Sequence, residues 1–450
     1  MKTDPRVCIV GAGPAGLALA RACVRHNVPF DVYERYSDVG GIWDQKNPGS
    51  PIYDSAHFIS SKTQSHYVDY PMPDDYPDYP SNKQILNYIR AFAVAYGLYQ
   101  HVTFNMEVRH AELVGRMWKV KLSSGETKDY CALVCATGTN WLPNMPEYPG
   151  HFTGELRHAV TYKSRTEFLG KRVLVIGGGN SACDIASDAA SVADEATISL
   201  RRGYHFVPKH LFGVPADVFA SSGPHLPMWV QQKVFAVILK ALTGDLTRFG
   251  LQKPDHRLFE SHPILNTQIL HHLAHGRIRA KPDVARFDGE TVHFTDGTSG
   301  EFDLVLCATG YRWEIPFVDR SLFRWKSNRP DLYMNLFVRD HRELYGLGYM
   351  ETNGGAYKLF DEMADFTVRA IEARNENGVT AQKLDKLVAS DAPDLSGGIH
   401  FVASDRHATY VEIDAYRKYM RKLQKKLGWP ALEPGAFAAQ RVDRNDTEWR

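Results

Sequence analysis

Two segments of this chain repeat one design. Residues 6–34 and residues 172–202 each read as a short apolar strand, a glycine-rich turn, an alanine-rich helix and a second strand. That unit builds parallel, doubly wound sheets, so a chain carrying it twice is predicted to be α/β with two dinucleotide-binding (Rossmann-like) domains. In the first unit, Gly11-Ala12-Gly13-Pro14-Ala15-Gly16 follows the strand directly and opens the helix. Gly11 permits the tight turn, Gly13 lets backbone approach a pyrophosphate, and Gly16 lets helix and strand pack closely. The helix N-terminus offers free N–H groups and partial positive charge to phosphates. Glu34, ending the second strand, is placed to accept hydrogen bonds from a ribose.

The second unit carries Gly177, Gly178 and Gly179, then Asn180, Ser181 and Ala182, after the strand at 172–176. Its second strand, at 196–200, ends in Arg201 and Arg202 instead of an acid. An arginine there pairs with a 2′-phosphate that an acid would repel, which favours NADPH over NADH. The alternative is a pair of surface arginines. Two dinucleotide sites in one chain point to hydride passing from a nicotinamide to a flavin, with FAD on the first loop and NADPH on the second.

Strands at 130–135 and 303–307 both end in Ala-Thr-Gly, at 136–138 and 308–310. Read as crossing points, they predict a nicotinamide domain inserted in an FAD domain: FAD-binding 1–150, NADPH-binding 151–307, FAD-binding return 308–450. Thr309 and Gly310 then fall among the cofactor-binding residues. Alternating runs around Ser124-Gly125 and Asp296-Gly297 read as hairpin meanders. At 450 residues the chain exceeds what one core usually serves. The aromatic, proline-rich stretch 204–263 is an insertion that either packs on the sheet or walls a substrate channel. Residues 415–429 form a basic helix, read as a solvated face, with an anionic membrane surface as the alternative.

Composition narrows the partners. Charged residues are 23% and the formal net charge is +1, which gives no reason to expect nucleic acid. No apolar run is long enough to span a bilayer, no secretory segment precedes the first strand, and cytoplasmic residence is the default expectation. The six cysteines sit in apolar runs with no Cys-x-x-Cys pair, so reduced core residues are expected and no metal site. Residues 35–60 contain no cysteine, which excludes a disulfide reductase with its redox pair beside the flavin. A small-molecule substrate remains, and a homodimer stays open.

Between the units, Phe152, Gly154, His158, Tyr162 and Lys163 fall at the spacing Phe-x-Gly-x(3)-His-x(3)-Tyr-Lys. This resembles the fingerprint of the flavin-containing monooxygenases, which belong to the class B flavoprotein monooxygenases. The resemblance extends to Gly40-Gly41-Ile42-Trp43, where Gly41 and Trp43 would face the flavin cofactor, and to most of residues 6–311. It implies that NADPH reduces FAD, NADP⁺ stays bound, and a C4a-hydroperoxyflavin oxygenates the sulfur or nitrogen of a soft nucleophile using O₂. His158 is implied to link the domains near the nicotinamide. Many members carry Asn at the flavin edge where this chain has Ile59, and Ser60 or Ser61 is expected to substitute. Ala182 stands where many members have Gly. Two other outcomes stay open. Carbonyl-directed oxygenation covers Baeyer–Villiger chemistry and arylpyruvate oxidative decarboxylation; residues 201–209 look like the matching segment of plant arylpyruvate monooxygenases. An NADPH oxidase releasing peroxide is the second.

Overall fold

The structure is a computed structural model that describes residues 6–223, 226–326, 328–404 and 407–442. Residues 1–5 and 443–450, which the predicted FAD-binding segments include, lie outside the described residues. Two separate sheets form around the two glycine-rich units. The first has seven strands in the order Leu332–Tyr333, Phe337–Val338, Leu344–Gly346, Ala132–Cys135, Val7–Val10, Phe30–Tyr33, Val102–Thr103. Val7–Val10 lies inside it, next to the central strand Ala132–Cys135, and is parallel to both Phe30–Tyr33 and Ala132–Cys135. Val7–Val10 and Ala132–Cys135 are four-residue apolar runs buried throughout, the pattern of a sheet covered on both faces.

The second sheet is parallel throughout, in the order Glu155–His158, Leu304–Cys307, Arg172–Ile176, Glu195–Ser199, Arg279–Lys281. The chain thus leaves the first sheet after Cys135 and returns to it at Leu332–Tyr333. The two meanders are antiparallel: Val108–Val114, Met117–Leu122 and Thr127–Tyr130 in one, Val284–Gly289, Thr291–Phe294 and Ser299–Glu301 in the other. Gly125 and Gly297 take positive φ of 90° and 81° at their turns, where glycine avoids the Cβ penalty.

The first dinucleotide helix, Pro14–His26, packs on the long helix Tyr357–Glu376. Arg21 and Asp361 form a fully buried ion pair across this contact at 2.6 Å. The Arg21 guanidinium lies 3.7 Å from the Phe437 ring centroid and 4.6 Å from that of Phe92, so the desolvated charge is enclosed by π faces as well as its partner.

The insertion has its own small core of Val207, Leu211, Ala216, Leu239 and Leu258. Its helix Met228–Thr243 leaves Trp229 and Val237 exposed. In the helix Ile413–Leu427, Tyr416, Met420, Leu423 and Leu427 are buried in the first core, while Lys418, Arg421, Lys422, Lys425 and Lys426 face solvent. Its apolar side is therefore taken by the protein. Among the described residues no helix is long and apolar enough to cross a membrane, and no cluster of His, Cys, Asp or Glu could hold a metal. All six cysteines are buried and free.

Candidate dinucleotide sites and the clamp between them

At the first loop, glycine is required by contact as well as by φ. Gly11 has φ +106°, and a Cβ there would lie 2.7 Å from the carbonyl oxygen of Ala136. One on Gly16 would lie 1.9 Å from the Gly11 carbonyl, so helix and strand touch through backbone. Gly41, at φ +58°, would place its Cβ 3.1 Å from the Cα of Gly13. The helix begins at Pro14 with no side-chain cap on Gly13, leaving its first N–H groups for an anion. Glu34 is held rigidly just beyond its strand: one carboxylate oxygen accepts the Ala12 N–H at 2.8 Å, the other the Tyr36 N–H at 3.0 Å. Burial raises its pKa against the pull of these two donors. Trp43 closes the turn Gly41–Trp43, its ring 5.2 Å from Phe58.

The second loop repeats this construction against the second Ala-Thr-Gly. Gly177 has φ +136°, and its Cβ would stand 2.3 Å from the Ala308 carbonyl oxygen. Gly178 is covered by Tyr204, whose ring would lie 2.2 Å from an added Cβ. Gly179 faces open space, with nothing within 4 Å, and it starts the helix Asn180–Val192 without a side-chain cap. A pyrophosphate suits both cradles: Gly179 is open, Gly13 has only the Gly41 backbone beside it, and unsatisfied helix donors adjoin both. Asn180 points its side-chain oxygen at the Leu265 N–H, 2.7 Å away, so it ties the loop to the end of the insertion. Ser181 is exposed and Ala182 fully buried in the second core, where a methyl packs without crowding. Arg201 is exposed just beyond the strand end. Arg202 is half-buried, 5.4 Å from the Tyr204 ring centroid, and its Nε has no hydrogen-bond partner among the described residues. An orphaned guanidinium N–H beside the loop suits a phosphate.

All five fingerprint positions are occupied in structural work. Phe152 packs on Phe287 at 5.6 Å between centroids, and Gly154 leaves room for that ring, which would be 2.8 Å from a Cβ. His158 uses both nitrogens: Nε2–H donates to the Gly310 carbonyl at 3.0 Å, and Nδ1 accepts the Val160 N–H at 3.1 Å. That pairing specifies the neutral tautomer, and burial lowers the ring's pKa to match. The Tyr162 hydroxyl donates to Asp188 at 2.8 Å, and Lys163 Nζ donates to the carbonyls of Ser50 at 2.5 Å and Ile52 at 3.2 Å.

Sequence reasoning missed the other half of this clamp. Asp184 and Asp188, one turn apart on the helix Asn180–Val192, face the segment 50–56. Tyr53 donates to Asp184 at 2.9 Å, Asn266 donates to it at 2.6 Å, and Ser55 donates to Asp188. Two acids at i and i+4 on an otherwise apolar, small-residue helix were the available signal.

The segment after Ile59 is tied down by side-chain hydrogen bonds. Ser60 accepts from Ser65 Oγ at 2.6 Å. Ser61 is buried; its N–H donates to Asp217 of the insertion at 2.7 Å and its hydroxyl lies 3.2 Å from Thr63 Oγ1. Neither serine is hydrogen-bonded to His158 among the described residues. Thr309 donates to the Asn144 carbonyl at 2.6 Å, fixing the turn whose next carbonyl, on Gly310, receives His158.

The profile described as flavin-binding monooxygenase-like matches residues 4–427. The chain is 30% identical over 325 residues to a probable indole-3-pyruvate monooxygenase, YUCCA8, of Arabidopsis thaliana, covering 69% of this chain and 75% of that protein. It is 31% identical over 358 residues to human flavin-containing monooxygenase 5, covering 74% and 67%. Among solved structures, Tmm from Pelagibacter sp. strain HTCC7211 superposes with a TM-score of 0.66 at 20% identity, covering 97% of this chain and 89% of that one. That last likeness is one of fold.

Proposed function

The chain belongs to the flavin-binding monooxygenase-like family, and from that premise we propose that it is an FAD- and NADPH-dependent monooxygenase acting on the sulfur or nitrogen of small soft nucleophiles, with O₂ as co-substrate. The observation that carries this reading is the clamp. His158 is bonded to the Gly310 carbonyl, Tyr162 to Asp188 of the second unit and Lys163 to the carbonyls of Ser50 and Ile52, so the linker ties all three regions together.

Gly11, Gly13, Gly16, Glu34, Gly41 and Trp43 are assigned to FAD. Gly177, Gly179, Asn180, Ser181, Ala182, Arg201, Arg202, Thr309 and Gly310 are assigned to NADPH. The bound cofactors supply hydride transfer and oxygen activation. The chain's own residues bind, orient and exclude water, the last because stray protons divert such chemistry to peroxide. His158 is a positioning residue in its neutral form. Ser60 and Ser61, the catalytic candidates at the flavin edge, are held in their segment by Ser65, Thr63 and Asp217, and the Ser60 hydroxyl, which accepts from Ser65, keeps its own proton to donate. The domain division at 150 and 307, cytoplasmic residence and a homodimer complete the reading.

Tyr162-Lys163 stands where Baeyer–Villiger enzymes usually show Trp followed by Pro or Asp, which favours heteroatoms over ketones. Similarity to an indole-3-pyruvate monooxygenase keeps oxidative decarboxylation as the second reading. Product analysis with NADPH and O₂ on a sulfide, a tertiary amine, a cyclic ketone and indole-3-pyruvate separates the two. The proposal expects sulfoxide and N-oxide; turnover confined to indole-3-pyruvate or the ketone overturns it.

A further inference from the structure

Where the insertion meets the flavin-side segment, a lysine sits half-buried with no acid to meet it. Lys209 Nζ is hydrogen-bonded to His57 Nε2 and lies 5.2 Å from the Tyr79 ring centroid. His57 Nδ1 is 3.0 Å from the Ser55 carbonyl, so that nitrogen carries the proton and Nε2 is left as an acceptor. Among the described residues no carboxylate lies within ion-pair distance of Lys209. The acids nearby are engaged: Asp217 accepts the Ser61 and Val218 N–H groups, and Asp78 pairs with His210 at 2.9 Å.

Two other partly buried lysines of the region show what a structural ammonium looks like here. Lys62 donates to the carbonyls of Asp74 and Tyr76, and Lys163 to those of Ser50 and Ile52. Among the described residues Lys209 has one acceptor, leaving two N–H donors. Burial draws its pKa down to about 8, so it remains mostly protonated at neutral pH. A partly desolvated cation with spare donors and no counter-ion gains when an anion arrives.

We infer that Lys209, oriented by His57 and Tyr79, is a binding site for the carboxylate of a small organic acid, and that the preferred substrate carries its soft atom and a carboxylate on one molecule. The placement supports this. His57 directly precedes Phe58, whose ring touches Trp43 and Tyr357. Three residues of extended chain, from His57 to Ser60, reach at most about 10 Å. An acid held at Lys209 therefore lies beside the segment that carries the flavin-side residues Phe58, Ser60 and Ser61. The inference rests on the monooxygenase reading for its substrate, though not for its ligand.

Two measurements on the FAD-loaded protein test it. Calorimetric titration compares phenylacetate with phenylacetamide, which differ only in the charged group. The acid is expected to bind about tenfold more tightly, with the preference lost in Lys209→Met and in Lys209→Gln and retained in Lys209→Arg. Equal affinity of the wild-type protein for both compounds overturns the inference, and needs no variant to fold. Steady-state oxidation then compares phenylthioacetate with thioanisole. The ratio of their KM values is expected to shift about tenfold against the acid in Lys209→Met, with kcat for the acid little changed. A ratio that does not move overturns the substrate assignment. If neither thioether is oxygenated while Lys209 still governs phenylacetate binding, the monooxygenase reading fails and the carboxylate site stands.

Discussion

A Cβ on Gly177 would stand 2.3 Å from the carbonyl oxygen of Ala308. The same relationship joins Gly11 to Ala136, at 2.7 Å. Each glycine-rich turn is thus pressed against the backbone of the first residue of its own Ala-Thr-Gly. Gly179, two residues on, touches nothing within 4 Å. Gly177→Ala is therefore expected to destabilise the fold, by roughly 1–3 kcal/mol or more from overpacking together with a strained φ. Gly179→Ala should leave the melting temperature nearly unchanged while weakening NADP⁺ binding at least about tenfold. Thermal melts and a nucleotide titration separate the two. Equal loss of stability in both variants would contradict the assignment of Gly179 to a cofactor cradle.

Arg201 is exposed at the end of its strand, and Arg202 beside it stacks near Tyr204 with an orphaned Nε–H. Removing a guanidinium from a 2′-phosphate loses charge-assisted hydrogen bonds worth about 1.5–3 kcal/mol, or roughly tenfold to a hundredfold in affinity. Arg201→Ala is expected to raise the KM for NADPH by that factor and leave that for NADH unchanged. A parallel change in both sinks the phosphate role.

Asp184 supplies a pH dependence of definite sign. Burial pushes its carboxyl up to about 7, against the lowering effect of the Tyr53 and Asn266 hydrogen bonds, and the charge of Asp188 adds to the rise. An unfolded aspartate titrates near 3.9. Because the native state holds this proton more tightly, the stability it contributes is complete below about pH 4 and is lost as pH rises through about 7. The melting temperature of the wild-type protein, relative to Asp184→Asn, should fall between about pH 5 and pH 8. A difference independent of pH would show that Asp184 ionises as it does in the unfolded chain.

Lys163 is the most direct handle on the clamp. Lys163→Met leaves the carbonyls of Ser50 and Ile52 without their donor, at a cost of about 1–3 kcal/mol, and loosens the second unit from residues 50–56. We expect a lower melting temperature together with a larger share of NADPH oxidised to peroxide. Unchanged coupling of NADPH use to product would remove Lys163 from the account.

The legible parts of this protein were those where a ligand or a contact dictates residue type. Gly11, Gly16 and Gly177 could be read because no side chain fits against a neighbouring backbone, and Phe152 to Lys163 because the clamp fixes their spacing. Strand ends moved by about one residue: the first begins at Val7, and the second unit's outer strand ends at Ser199. The two- and three-residue strands at 332–346 were invisible because so few residues carry no periodicity. Asp184 and Asp188 escaped because Tyr53 and Ser55 lie more than a hundred residues away in sequence, and only the folded chain brings them together. The engagement of the Ser60 and Ser61 hydroxyls with Ser65 and Thr63 has no sequence signature, because it depends on how the loop folds back on itself.

In the proposed reaction, oxygen from O₂ is transferred to a soft heteroatom at the expense of NADPH. Mass spectrometry of the sulfoxide formed from a thioether under ¹⁸O₂, with NADPH consumption followed in the same vessel, tests it most directly. One ¹⁸O atom is expected in each sulfoxide, with one sulfoxide for nearly every NADPH oxidised. NADPH consumption that yields only hydrogen peroxide, or sulfoxide carrying no label, would contradict it.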